Sequence, residues 1–340
     1  NTKKKILQHK IRVFCRLRPM NRNEAGQGGT AFVEKIDDYS VSVETPRGLR
    51  EFQFDKVFGA EASQDEVFQD TSLIQSVIDG YNVCIFAYGQ TGSGKTFTMV
   101  GDKDQRNPGI MPRSFNAIFD ITRENSSKFE FKVSAYMLEL YNDRLQDLFV
   151  SQAAEAQAQT QPSSQTRRVE IKRTRKGVVF AQGAETKEAS SAQELYALFQ
   201  QACANRHIAA TMNVESSRSH LIIVIMVESR NLTNGSISTG KLSLVDLAGS
   251  ERAAKTGAKD HQLKANSINK SLSALGDVIS ALSADLPHVP YRNSKLTQYA
   301  TRVKAITNNA QRNVESKEIA QLKEVIMKLK SGLTVVDGDV

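Results

Sequence analysis

An α/β fold, with a central mixed, largely parallel sheet covered by helices on both faces, is what this sequence predicts on three observations. First, the runs 83–88, 131–140, 218–228 and 241–247 are nearly continuous in apolar character, as strands buried on both faces are. Second, apolar residues recur at helical spacing in segments between and after these runs. Third, strands that alternate with helices favour a sheet sandwiched between helical layers. With 340 residues, 40% of them hydrophobic, the chain can bury a sizeable core, in one large domain or two.

Along the chain, residues 1–10 are polar and basic and read as the end of a neck segment. Residues 11–16 alternate apolar and polar and then meet Pro19, which predicts a strand running into a turn. A polar, glycine-rich loop follows at 26–29, and then 41–43 and 52–54 alternate like strands of a small sheet. Residues 63–78 predict one helix, with Val67, Phe68, Leu73, Ile74 and Val77 on its apolar stripe, Ser63 as its N-cap and Gly80 as its stop. Residues 151–165 are low in complexity, without an aromatic and almost without charge, and predict a flexible surface loop. A long amphipathic helix is predicted over 265–282 from Ile268, Leu272, Leu275, Val278, Ile279 and Leu282. A second, over 316–330, rests on Ile319, Leu322, Val325, Ile326 and Leu329. No internal repeat is visible.

The charge balance, 45 Lys and Arg against 37 Asp and Glu, gives +8 and points to an acidic partner: nucleic acid, an anionic membrane or an acidic protein lattice. Cys15, Cys84 and Cys203 are too few and too scattered for a disulfide scaffold or a clustered zinc site. No apolar run approaches membrane-spanning length, and the Lys-rich start lacks the apolar stretch of a signal peptide. The expectation is a soluble, cytoplasmic chain with reduced thiols and no membrane partner.

The chemistry begins at Gly89-Gln90-Thr91-Gly92-Ser93-Gly94-Lys95-Thr96, which matches G-x-x-x-x-G-K-[ST] between an apolar strand and a helix-like segment. Glycines let such a loop wrap so that its N–H groups point at phosphate oxygens. Lys95 would reach the β/γ-phosphates, and the Thr96 hydroxyl would bind Mg²⁺. A chance Gly/Ser turn is the competing reading, and the strand in front weighs against it. A second strand closes on Asp246-Leu-Ala-Gly249, where a P-loop nucleotidase places a Mg²⁺-linked acid and a glycine amide for the γ-phosphate. Alone, D-x-x-G is weak; it counts beside the polar cluster Asn213-Val-Glu-Ser-Ser-Arg-Ser-His220, itself readable as an ordinary capped turn.

Together, in this order, G-Q-T-G-S-G-K-T, N-x-x-S-S-R-S-H and D-L-A-G-S-E resemble the P-loop, switch I and switch II of the kinesin motor domain. Arg16-Leu-Arg-Pro19, Asn107-Pro-Gly-Ile110, Glu139-Leu-Tyr-Asn142, Ile268-Asn-Lys-Ser-Leu272 and Val289-Pro-Tyr-Arg292 agree. The resemblance covers about 11–303, and residues 7–18 and 299–332 are most similar to the kinesin-14 class, in particular its plant-type calmodulin-binding members. It implies the kinesin motor fold, a P-loop nucleotidase, and a microtubule-stimulated ATPase of the cytoskeleton, minus-end directed by class. In that reading 304–340 form a neck-mimic segment and tail, and a dimer is expected only with the upstream neck.

The resemblance also implies roles. ATP or ADP would be held by the loop Gly89–Thr96, with Arg16, Arg18 and Pro19 flanking the adenine and Phe97 on its other face. Mg²⁺ would be held by Thr96 and Ser217, with Asp246 acting through water. Lys95 and Gly249 would meet the phosphates, and Arg218 and Glu251 would form an ion pair that closes around ATP. Phosphoryl transfer to water depends mainly on positioning and charge stabilisation, so no side chain is required as a direct base. Arg252, Lys255, Lys264, Lys270, Arg292 and Lys295 would face the acidic microtubule surface, each readable also as a solvated charge. A calmodulin-like Ca²⁺ sensor is the expected regulator near the C-terminus. Nucleic acid is disfavoured because no aromatic-interleaved basic motif occurs.

Two other functions compete with the motor. A guanine-nucleotide switch would carry N-K-x-D, but Asn269-Lys-Ser-Leu272 lacks the acid. A nucleotide-dependent microtubule-binding switch without processive movement would keep the same loop. One departure stands out. After Lys295–Gln298 the family continues with a helix, a turn and a strand before the Y-A-x-R-V segment, yet Tyr299-Ala-Thr-Arg-Val303 follows directly. The expectation is that Gln298 and Tyr299 lie far apart, because the family separates the two places.

Overall fold

The computed structural model describes residues 11–26, 31–150, 169–173, 179–213, 218–250, 259–299 and 314–315. For 173, 207–213, 259–267 and 314–315 it describes the backbone alone. The low-complexity run 151–165 and the helix expected over 316–330 lie outside these residues.

The centre is a sheet of β7 (Phe129–Tyr141), β12 (His220–Asn231) and β13 (Ile237–Asp246), ordered β7-β12-β13. β11 (Lys187–Ala189) and β8 (Arg144–Asp147) pair with β7; β6 (Asn82–Ala87) and β14 (Val314–Glu315) pair with β13. Three smaller sheets surround it. β1 (Phe14–Arg16) pairs with β5 (Lys56–Phe58), β2 (Val33–Lys35) with β3 (Ser40–Thr45) and β4 (Gly48–Gln53), and β9 (Glu170–Arg173) with β10 (Val179–Gln182).

The helices are α1 (Arg22–Gly26), α2 (Gln64–Thr71), α3 (Ile74–Ile78), α4 (Lys95–Met99), α5 (Ile110–Glu124), α6 (Ala192–Asn213), α7 (Lys259–Ser283) and α8 (Lys295–Tyr299). The period-two alternation of the central strands divides their side chains between two cores. Met137, Ile223, Ile225 and Leu244 face one core, which Ile74, Phe115, Ile118 and Phe199 of the helices α3, α5 and α6 close. Leu138, Ile222, Val224 and Val245 face the other, under Leu272, Leu275, Val278 and Leu282 of α7 and Leu296 of α8. Continuous apolar runs therefore correspond, as expected, to a sheet covered on both faces.

The sheet is mixed but not largely parallel. Among the described residues, only β6–β13 and the separate β1–β5 pair are parallel, while β11–β7, β7–β12, β12–β13, β7–β8 and β13–β14 are antiparallel. A strand buried on both faces is apolar whichever way its neighbour runs, so the pattern could not report direction. The polar stretch Asn231–Ile237 closes a hairpin, with Asn231 N–H donating to Ser236 O.

Three local expectations change. The helix expected over 63–78 is two helices: the capping box of Ser63 and Glu66 starts α2, and Ser72 is extended before α3 begins. Ile279 is exposed rather than buried with the α7 stripe, because Val278, Ala281 and Leu282 occupy the buried arc. Gln298 and Tyr299 are not far apart: α8 runs through both, Gln298 N–H donates to Ser294 O at 3.0 Å, and Leu296 and Tyr299 bury on the α7 side.

Candidate nucleotide site

β6 and β13 lie side by side and parallel, with Ala87 opposite Asp246, so the loops that follow them emerge together. The carboxyl ends of neighbouring parallel strands are where α/β sheets bind ligands. After β6 the chain turns through Gly89–Gly94, with positive φ at Gly92 and Gly94, and enters α4 at Lys95. After β13 it passes Asp246 and comes to lie on that loop. Leu247 N–H reaches Ala87 O at 3.4 Å, and Ser250 N–H donates to Gly89 O at 3.1 Å. Gly249 sits so close that a Cβ there would meet Thr91 Oγ1 at 2.1 Å and Thr91 N at 2.8 Å. Only glycine lets the two loops touch.

At the join, the Thr96 hydroxyl donates to Asp246 Oδ2 at 2.7 Å. Asp246 is only 4% exposed, and its other oxygen, Oδ1, is buried without a hydrogen-bond partner. Burial raises the Asp246 pKa, against the Thr96 bond and the charges of Arg206 and Lys95. A buried carboxylate with an orphaned oxygen beside a hydroxyl fits a divalent cation reached through water. Among the described residues no cluster of three or more His, Cys, Asp and Glu could hold an ion alone, so phosphate oxygens and water would have to complete the shell. Lys95 lies along the loop, its Nζ donating to Gln90 O at 3.0 Å.

Arg18 stacks its methylenes beside Gly94, pairs with Glu24 at 2.6 Å and donates to Pro19 O. Phe97 is exposed at the start of α4. Arg16 does not stand opposite Phe97, as the resemblance implied. Its guanidinium lies over the Phe97 ring at 5.4 Å and donates to Gln64 Oε1, Thr98 Oγ1 and Ala62 O. It ties β1 to α2 and α4, because a half-buried guanidinium needs those acceptors.

The cluster before β12 is only partly described. Ser217 and Glu251 lie outside the described residues, as do Arg252 and Lys255. Arg218 is half-buried at the mouth of β12, and Leu221 sits opposite Asp246. Of the basic residues expected on the outer surface, Lys270 and Arg292 are exposed and Lys295 is half-buried. Lys264 falls on α7, where the backbone alone is described.

Sequence reasoning missed a buried polar relay beneath these loops. His220 Nδ1 accepts from Ala248 N–H at 3.0 Å, so Nε2 carries the proton toward Ser271 Oγ, 2.9 Å away on α7. Ser271 then donates to Ile268 O at 2.7 Å. Burial and the Arg206 charge push the His220 pKa down to about 4, so the imidazole stays neutral. Alongside, Arg206 donates to Glu139 Oε1 at 3.2 Å and to Ser219 O and Oγ at 3.0 Å, and Ser219 Oγ also donates to Glu139. Ser219, His220, Glu139 and Ser271 all stand in segments that the sequence singles out, but nothing in the sequence shows that they meet.

The kinesin motor domain family matches residues 16–303. The chain belongs to the kinesin motor domain family. Among curated relatives, it is 42% identical to the kinesin-like protein KIN-14E of Arabidopsis thaliana, over 94% of this chain and 27% of that protein. It is 43% identical to KIN-14I of Oryza sativa subsp. japonica, over 98% of this chain and 29% of that protein. The chain thus spans under a third of the length of either relative. A solved structure of a fast kinesin superposes with a TM-score of 0.77 at 34% identity, covering 90% of this chain and 94% of that one. The motor domain of a Kar3-like kinesin from Ashbya gossypii gives 0.70 at 32%, covering 89% and 90%. The three cysteines of this motor domain are free, and among its described residues no helix is long and apolar enough to cross a membrane.

Proposed function

We propose that this motor domain hydrolyses ATP with Mg²⁺, is stimulated by microtubules, and drives minus-end-directed movement within the cytoskeleton. The observation that carries the reading is Asp246, buried at the parallel mouth of β6 and β13 with one oxygen on Thr96 and the other unpartnered. Thr96, Ser217 and Asp246 would hold Mg²⁺, which supplies charge neutralisation at the β/γ-phosphates. Lys95 exchanges its bond to Gln90 O for the phosphates. Gly249, fixed against Thr91, directs its amide at the transferred phosphoryl group. Arg18 and Pro19 on one side and Phe97 on the other bound the base, with Arg16 positioning Phe97.

The His220 relay supports transmission. It joins Ala248, next to Gly249, to Ser271 on α7, the helix that carries Lys270 outward. A change at the γ-phosphate can therefore bias the helix that would meet tubulin. We assign 11–303 to the motor, 304–340 to a neck-mimic segment answering to a Ca²⁺ sensor, and dimerisation to an upstream neck. In support, β14 (Val314–Glu315) already lies on β13 at Ile237 and Ser238. The test is ADP binding titrated with Mg²⁺. Wild-type affinity should rise with Mg²⁺ and that of Asp246→Asn should not; equal Mg²⁺ dependence in both would overturn the assignment.

A further inference from the structure

Gln64 opens α2 and is only 6% exposed. A buried amide must find partners for two N–H groups and an oxygen. Here all three are engaged. Oε1 accepts from Arg16 Nη1 at 2.7 Å, and Nε2 donates to Phe97 O at 2.7 Å and to Asn107 O at 3.2 Å. One side chain thus joins the end of β1, the helix after the phosphate loop and the chain that leads into α5.

The bond to Phe97 O answers a gap in α4. This helix has five residues, and the last carbonyls of a helix lack partners within it. Gly101 N–H, which one more turn would give to Phe97 O, reaches Thr96 O at 3.3 Å instead, beside Val100 N–H at 2.7 Å. Gly101 has a φ of +102°, and a Cβ there would collide with Asn107 O, so the chain leaves the helix at this point and returns against it. Gln64 supplies the N–H that the helix does not give to Phe97 O, and a second to Asn107 O on the returning segment.

The bond to Arg16 fixes the other half of the arrangement. The Arg16 guanidinium lies over the Phe97 ring at 5.4 Å, held also by Thr98 Oγ1 and Ala62 O. Phe97 is 42% exposed, so with one face under Arg16 the rest of its ring is open to a base. We propose that Gln64 is a positioning residue for the nucleotide base. Its amide holds the Phe97 backbone and the Arg16 guanidinium in one register, and so sets the surface on which adenine stacks. Gln64 does not meet the base itself. The Phe97 ring carries no polar atom, so it holds a base by stacking, whose strength falls steeply with distance and tilt. The inference deepens the nucleotide reading and rests on it.

Two ligands separate positioning from simple bracing. ADP with Mg²⁺ engages both the phosphate loop and the base wall, whereas pyrophosphate with Mg²⁺ engages the loop alone. Gln64→Met is close to isosteric and removes all three bonds. In calorimetric titrations it should weaken ADP about tenfold and leave pyrophosphate affinity within about twofold of wild type. With Phe97→Ala already in place, Gln64→Met should cost ADP affinity little more, because it acts through that ring. If Gln64→Met does not fold, Gln64→Glu, which keeps an acceptor for Arg16 and loses both donors, is read by the same ratio. Equal losses for ADP and pyrophosphate, or a fully additive loss on top of Phe97→Ala, would overturn the proposal and leave the nucleotide reading standing. Wild-type protein that binds neither ligand would overturn both.

Discussion

The two flanks of β6 differ sharply. Toward β13 every register position is paired, Gly249 rests on Thr91, and Thr96 closes on Asp246. Toward β1 the backbone of Asn82, Cys84 and Phe86 meets no strand among the described residues. The closed flank holds the proposed chemistry and tolerates almost no change, because its contacts are backbone approaches and single buried bonds. A third region, the basic surface proposed on α7 and the Tyr291–Asn293 turn, would work by summed exposed charge. Substitutions should therefore weigh heavily beside β13 and lightly on that surface.

The largest effect belongs to Lys95→Ala. It removes the cation the loop aims at the phosphates, and ATP turnover should fall by at least about 100- to 1,000-fold. Gly249→Ala should come next. Its Cβ would press on Thr91 backbone and side chain, so turnover should drop about 100-fold while ADP affinity changes little. Comparable losses of affinity and turnover would show instead that the loop had collapsed.

Asp246→Asn sharpens the comparison because stability and function should part. Burial already disfavours its carboxylate, so the variant should melt about 2–4 °C higher without nucleotide while losing Mg²⁺-dependent binding. His220 has a pKa near 4 when folded against an ordinary 6.5, so its contribution is intact above about pH 6.5 and is lost as pH falls toward 4. At full extent the loss is about 3 kcal/mol. Asp246, shifted upward, acts in the opposite sense. The urea midpoint should therefore fall from pH 7 to pH 5 in wild type and fall less in His220→Gln. The smallest effects are expected at Lys270→Ala and Arg292→Ala, each weakening microtubule affinity about twofold and less at high salt.

Much of the closed flank was legible in sequence, since its glycines, Lys95, Thr96 and Asp246 each have a stereochemical reason to stand where they do. Legibility stopped where tertiary partners decide. Strand direction was invisible because Ile222 and Val224 are apolar under either pairing. The break at Ser72 was invisible because Val67, Phe68, Ile74 and Val77 bury on the same core whether or not the helix is continuous. The convergence of Gln64, Thr98 and Ala62 on Arg16 was invisible because nothing local shows it. His220 and Ser271, 51 residues apart, could be joined only by the fold.

The central claim is that the β6–β13 mouth hydrolyses ATP under microtubule control. Steady-state phosphate release from ATP and from GTP, each with and without microtubules, tests it most directly. The account predicts slow release from ATP alone, stimulation of at least tenfold by microtubules, and little turnover of GTP under either condition. ATP turnover that microtubules leave unchanged, or a preference for GTP, would contradict it.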